Sequence, residues 1–467
     1  MINWGMGLLI LLVSGITACS GPTEEQQAEA EPIPPNIVLI LVDDAGYADF
    51  GFQGETDLFT PNIDRLAAGG VIFSDAHVTA TVCSPSRAGL LTGRYQQRYG
   101  YETNSPPEDQ GMETAEKTVA ALLKEQGYKT AAYGKWHLGL QPEHHPNSRG
   151  FDEFYGFLSG SRSYFPSPLQ DRPGSPRAIM FNREYVSFDG YITDVLAARA
   201  ADFMEANKSE PFFVYLSFNA VHTPMEATLD DMKRFTGHPR QTLAAMTWAL
   251  DRAVGNVINK LDKLGLRENT LVFFLSDNGG AAFNNSRNTP LKGWKGNKFE
   301  GGHRVPFVVS WPGNLEGGGT FAGLTSSLDI AATALARALP EGLTVPVPQP
   351  LDGVDLLPFL RGEQQGDPHE FLCWRKEDAA AVRMGDWKLI RLDDSDPVMY
   401  NLVDNLEETR DMSELNQEEL AEMTSILDSW ESEMEEPRWH EEADWIRVTR
   451  HIHEALLKNK EPGRIAP

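Results

Sequence analysis

The chain has 467 residues, 41% of them hydrophobic, and a formal net charge of −26 at pH 7. That length exceeds one small core and suits a large catalytic domain with a smaller companion, and the ordinary composition excludes a mostly disordered chain. The acidity excludes nucleic acid as a partner, because phosphate backbones are held by clustered Lys and Arg, and it requires any anion site to be a local basic pocket within an acidic field.

The N-terminal nineteen residues, MINWGMGLLILLVSGITAC, contain an apolar run from Met6 to Val13 that is too short to span a bilayer and is expected to act as an export signal. Ile16-Thr17-Ala18-Cys19 resembles the lipobox of bacterial lipoproteins. That resemblance implies lipidation of Cys19 and a protein held in the periplasm or at the outer membrane, the latter favoured by Ser20 after the cysteine. SGPTEEQQAEAEPIPP (20–35) then reads as a flexible tether. Only Cys83 and Cys373 remain, enough for at most one disulfide, and Cys373 in FLCWR is expected to be a buried packing residue.

Short apolar runs rich in Val, Ile and Phe follow, each ending abruptly in polar residues: NIVLILVDD (36–44), KTAAYGKWHLG (129–139), FFVYLSFNAVHTP (212–224) and LVFFLSDNGG (271–280). Between them TAEKTVAALLKEQG (114–127), YITDVLAARAADFMEAN (191–207) and TLAAMTWALDRAVGNVINKLDKLG (242–265) carry apolar residues three and four apart and predict helices. Strands without alternation, separated by amphipathic helices, predict an α/β fold with a large, mostly parallel central sheet covered by helices on both faces. After about residue 365 the pattern changes. MGDWKLIRLDDSDPVMYNLVDNLEETRDMSEL (384–415) predicts a hairpin followed by a polar helix, and the acidic segment 404–444 a solvated face. The expected division is a catalytic domain over 36–365 and a small C-terminal α+β subdomain over 366–467.

Ligands of such sheets sit beyond the carboxyl ends of the strands, and the polar residues fall there: Asp43 and Asp44, Lys135 and His137, His222, Asp277 and Asn278. Three carboxylates and an amide at neighbouring strand ends would repel unless something positive lay between them, and a hard divalent cation, Ca²⁺ or Mg²⁺, meets that need. Either pair alone reads as a turn or helix cap; together they point to a metal. Arg87, Lys135 and Lys295, read singly as surface charge, would beside a metal form a clamp for a tetrahedral oxyanion. His137 and His222 are candidate proton-transfer groups. Cys83, ahead of a Ser-Pro-Ser-Arg turn and a short amphipathic helix, is open to two readings, a thiolate nucleophile or an inert packing residue.

Five blocks in order, LVDDAGYADFG, CSPSRAGLLTG, GKWHLG, SDNGG and KGNKFEGGHRVP, with GFDEFYGF at 150–157, resemble the signature of the formylglycine-dependent (type I) sulfatases of the alkaline phosphatase superfamily. The likeness runs from about Asn36 to Pro306. It implies that a maturation enzyme oxidises Cys83 to formylglycine, whose hydrate is the nucleophile. It further implies that Asp43, Asp44, Asp277 and Asn278 bind Ca²⁺ with an oxygen of residue 83, and that Arg87 holds the hydrated aldehyde. Lys135 and Lys295 would contact sulfate, Lys292 being the rival of Lys295. His137 would deprotonate the second hydroxyl, and His222 would serve the leaving alcohol. The implied substrate is a sulfated carbohydrate, such as a marine algal galactan, and His77, Tyr101, Arg162, His144 and His145 are residues that could read the sugar, each also readable as structural. Other readings are a phosphodiesterase or phosphonate monoester hydrolase of the same superfamily, and a glycan-binding lipoprotein without chemistry.

Overall fold

The computed structural model describes residues 34–54, 56–339 and 344–462, with Met1, Ile2 and Trp4 at the N-terminus. The bulk of the expected export signal, Cys19 and the tether up to residue 33 lie outside the described residues. Among the described residues no helix is long and apolar enough to cross a membrane.

Ten strands form one sheet in the order β11 (Gly319–Phe321), β2 (Val71–Phe73), β10 (Phe307–Ser310), β9 (Thr270–Ser276), β1 (Asn36–Val42), β8 (Phe212–Ser217), β4 (Lys129–Lys135), β5 (Glu153–Phe157), β6 (Met180–Phe181) and β7 (Glu184–Tyr185). The five from β9 to β5 are mutually parallel. Antiparallel pairings join β10 to its neighbours and add β6 and β7 at the far edge.

Every residue of β1 is buried, and its side chains divide by alternation between two separate cores. Ile37, Leu39 and Leu41 enter one, with the helices Cys83–Thr92, Val119–Glu125 and Asp329–Arg337. Val38, Ile40 and Val42 enter the other, with Pro61–Ala68, Ile192–Ala206 and Gln241–Leu264. Burial on both faces explains why these strands read as uninterrupted apolar runs. The predicted helix over 114–127 is shorter, because the Thr118 hydroxyl accepts the Ala121 N–H and caps a helix starting at Val119.

Past residue 370 a four-stranded antiparallel sheet runs β13 (Phe371–Lys376), β14 (Ala379–Met384), β15 (Trp387–Leu392) and β16 (Val398–Asn401). The predicted hairpin is β15–β16, but the acidic helix starts later, at Gln417, after turns that occupy 402–416. It buries Met423, Leu427 and Trp430 against this sheet and leaves most of its carboxylates in water. Cys373 is buried there among Val382 and Met399, and both described cysteines are free. A two-stranded element, β3 (Ala76–His77) with β12 (Thr325–Ser326), completes the sheets.

Candidate active site

Parallel pairing puts the ends of four central strands side by side, with Val42 opposite Ser276, Leu41 opposite Ser217 and Gly134 opposite Ser217. The residues that follow these ends therefore share one cup. Asp43 and Asp44 leave β1, Lys135 ends β4 with His137 two residues on, and Asp277 and Asn278 leave β9. Cys83 reaches the cup from the first residue of its helix. That helix is not the amphipathic element expected: every residue from Cys83 to Thr92 is buried, and Ala88, Leu90 and Leu91 share one core with Ile37, Leu39 and Leu41 of β1 and with the Asp329–Arg337 helix.

Cations and carboxylates alternate around Cys83. Lys135 Nζ donates to Asp43 Oδ2 at 2.7 Å, and Lys295 Nζ lies 2.6 Å from Asp44 Oδ1 and 3.0 Å from Cys83 Sγ. Arg87 holds Asp277 Oδ2 through Nε at 2.9 Å and Nη2 at 2.8 Å, while Nη1 donates to the Lys135 carbonyl and to Ser217 Oγ. Asp43 Oδ1 is 3.5 Å from Cys83 Sγ. Three carboxylates thus face three cations, and the thiol adds no charge, since burial and then Asp277 push Cys83 up to about 12 against the pull of Lys135 and Lys295. A thiolate nucleophile is disfavoured by that environment.

Two oxygens in this set, Asp44 Oδ2 and Asn278 Oδ1, are buried without a hydrogen-bond partner, a condition that costs free energy unless something electropositive meets them. Ligand atoms of Asp43, Asp44, Cys83 and His222 all lie within 4.8 Å of one another. Carboxylates joined by a carboxamide form a hard oxygen set, which fits Ca²⁺ or Mg²⁺ better than a soft metal. A divalent cation would turn a balanced cup into a positive one, as binding an anionic ester demands.

Both histidines border the cup. His137 holds φ at 62°, a left-handed conformation uncommon outside glycine, as does Asp44 at 60°. A Cβ on Gly160 would lie 2.6 Å from the His137 imidazole, so the glycine lets the 160–165 loop close over that ring. Burial, with Lys135, Arg87 and Lys295 nearby, holds His137 well below the usual imidazole range, and its Nδ1 has no partner. His222 is anchored through Nδ1 to the Thr223 carbonyl at 2.7 Å, with Nε2 3.6 Å from Asp44 Oδ2.

The ten expected site residues converge here. Lys292 does not: its ammonium points to the Glu408 carbonyl and Asn459 Oδ1, both at 2.8 Å, leaving the cup to Lys295. The five residues offered as sugar readers are all buried. His77 pairs with His303 and Asp75 at 2.9 Å, Tyr101 with Ser84 Oγ at 2.6 Å, and Arg162 with Asp171, Ser163 O and Arg177 O. The His144 ring packs against Gly111 and Gly139, where a Cβ would lie within 2.7 Å of it, and His145 accepts the Asn147 N–H at 3.2 Å.

Sequence reasoning missed the supports. Asn284 Nδ2 donates to Asp44 O and Val221 O at 3.1 and 3.2 Å, and Ser276 Oγ links Ala45 N to Asn278 O. The KGNKFEGGHRVP segment is fastened from below by Lys388 of β15, whose buried ammonium meets Glu300 and His303 at 2.9 Å and Glu408 at 3.2 Å. The one available signal was a charged residue inside the strand WKLIRL.

A strand-end cup of acidic oxygens and cations around one nucleophile position defines a hydrolase of anionic esters. Residues 35–338 match the Sulfatase family. The chain is 35% identical over 407 residues to N-acetylgalactosamine-6-sulfatase of Canis lupus familiaris, covering 82% of this chain and 74% of the relative. It is 32% identical over 424 residues to steryl-sulfatase of Homo sapiens, covering 72% and 71%. The crystal structure of Ps i-CgsB in complex with k-i-k-neocarrahexaose superposes with a TM-score of 0.82 at 38% identity, covering 90% of this chain and 98% of that one. The PsFucS1 sulfatase from Pseudoalteromonas sp. gives 0.73 at 25%, covering 86% and 90%. The chain belongs to the sulfatase family and is a sulfuric ester hydrolase.

Proposed function

We propose that this protein removes sulfate from a sulfated oligosaccharide or polysaccharide, a marine algal galactan being the leading candidate, with Cys83 matured to formylglycine and Ca²⁺ held by Asp43, Asp44, Asp277 and Asn278. The observation that carries the chemistry is the convergence of those four residues on Cys83 beside Lys135 and Lys295. The carbohydrate reading is supported by the relatives, one named for N-acetylgalactosamine and one crystallised with a neocarrahexaose.

The hydrated aldehyde would supply two hydroxyls, one to attack sulfur and one whose ionisation releases sulfate by breaking the carbon–oxygen bond. The cation would supply positive charge where negative charge grows on the transferring group. The chain's own residues do the rest. Lys295 and Lys135, fixed by carboxylates before any ligand arrives, offer N–H donors to sulfuryl oxygens at no reorganisation cost. Arg87 orients Asp277 through Nε and Nη2 and so would set a metal ligand. His137, neutral at pH 7 because burial and three cations disfavour its charged form, is able to take a proton from the second hydroxyl. His222 donates its Nδ1–H to the Thr223 carbonyl and presents Nε2 to the cup, so that the proton passed to the departing alcohol would be the second, Nε2 proton of its imidazolium form.

We also propose export and lipid attachment at Cys19, for which acyl chains on the mature N-terminal peptide are the test by mass spectrometry. The activity is tested by sulfate release from defined sulfated oligosaccharides, with matched phosphate esters alongside. Sulfate turnover abolished by chelation and restored by Ca²⁺ supports the reading; a preference for phosphate esters overturns it.

A further inference from the structure

Phe283 stands in the short turn Ala282–Asn284 beyond the SDNGG segment, and the residue is 59% exposed. The turn is not loose. Asn284, wholly buried, donates to the carbonyls of Asp44 and Val221, and Ser286 Oγ donates to the same Asp44 carbonyl at 3.0 Å. These bonds tie the turn to the two loops that deliver Asp44 and His222, and hold the phenyl ring out in water. A lone exposed apolar side chain is ordinary, but this one has a particular address. Its ring centre is 6.2 Å from that of His222, edge to face at 72°, and 5.8 Å from Lys295 Nζ. The ring therefore stands on the rim between the group assigned to the leaving alcohol and a group assigned to sulfate.

We propose that Phe283 is a specificity residue, the platform on which the C–H face of the sulfate-bearing pyranose stacks. The inference rests on the sulfated-carbohydrate reading and deepens it. A substrate whose ester sulfur sits at Lys295 and whose leaving oxygen sits at His222 must carry its ring past Phe283. A flat aromatic face attracts the polarised C–H groups of a sugar and adds no charge to the cup. The five buried residues considered above leave that rim without another sugar contact of their own.

The test uses matured, Ca²⁺-loaded enzyme with Phe283→Ala, Phe283→Leu and Phe283→Trp. Kinetics are measured on the defined sulfated oligosaccharide that the wild type turns over best, and inhibition by inorganic sulfate reports on the cup alone. Phe283→Ala is expected to raise KM about tenfold with kcat changed less than about threefold. Trp should restore the wild-type KM and Leu should not, while inhibition by sulfate stays the same in all variants. An unchanged KM in Phe283→Ala, full rescue by Leu, or sulfate inhibition weakened in step with KM would overturn the proposal. Failure of the substrate class is read separately, in the wild type: an enzyme that turns over aryl or steroid sulfates and no sulfated sugar refutes the carbohydrate reading, and the sugar platform with it.

Discussion

Asp277→Ala probes the electrostatic frame of the cup. The Arg87 and Asp277 side chains are both fully buried, with two contacts of 2.9 and 2.8 Å between them. At 2.8 Å and an effective dielectric of about 20 their attraction is roughly 6 kcal/mol. Asp43, the other carboxylate beside Arg87, lies 3.7 Å from it and is already engaged by Lys135. Removing Asp277 leaves Arg87 as an undercompensated buried charge, and such losses amount to about 3–5 kcal/mol. That is a large part of a total stability of about 5–15 kcal/mol. Urea unfolding followed by circular dichroism, with chelator present so that cation binding does not contribute, gives the value. The double variant Asp277→Ala, Arg87→Met should lose less than the sum of the single losses by at least about 1 kcal/mol, because neither charge then remains. A loss below about 1 kcal/mol for Asp277→Ala, or additive single losses, would refute the reasoning.

Three further outcomes are expected. Cys83→Ala should reduce sulfate release to background with an unchanged circular dichroism spectrum, since only a small buried side chain is removed; unfolding of the variant would return Cys83 to a packing role. His137→Ala should lower kcat by about 100-fold or more, and in the wild type the acid limb of kcat/KM should fall below the ordinary imidazole range, because burial and neighbouring cations keep His137 neutral there. Stability should decline in acid through His453, which accepts the Lys298 N–H at 3.0 Å and donates to Thr449 O at 2.9 Å. Burial, aided by Lys298, lowers its pKa to about 3. The unfolded chain therefore binds the proton first, and up to about 1.4 kcal/mol per pH unit is lost as pH falls from about 6.5. A His453→Gln variant should show a flatter fall between pH 7 and pH 5 in urea titrations.

The sheet was legible because strands buried on both faces are almost wholly apolar inside, so each polar ending, such as Val42-Asp43-Asp44 or Ser276-Asp277-Asn278, marked a carboxyl end. The cup was legible for the same reason: parallel strands bring those endings together without further information. What escaped depends on contacts distant in sequence. Lys292 and Lys295 stand in one glycine-rich loop, and only Glu408 and Asn459, more than a hundred residues on, draw the first away. The Cys83 helix resembles a half-exposed one until the sheet and the Asp329–Arg337 helix close on it. His144, His145 and Arg162 have the chemistry of sugar ligands, and burial removes them from use. Phe283 gives no signal in sequence, since its exposure follows from the buried bonds of Asn284.

The central claim is that residue 83 acts as a formylglycine within this cup. Mass spectrometry of the peptide containing residue 83, taken from enzyme that is actively releasing sulfate after co-expression with a maturation enzyme, tests it most directly. An aldehyde or its hydrate in place of the thiol, in proportion to activity across preparations, is the expected result. Full activity from protein whose Cys83 is an intact thiol would contradict it.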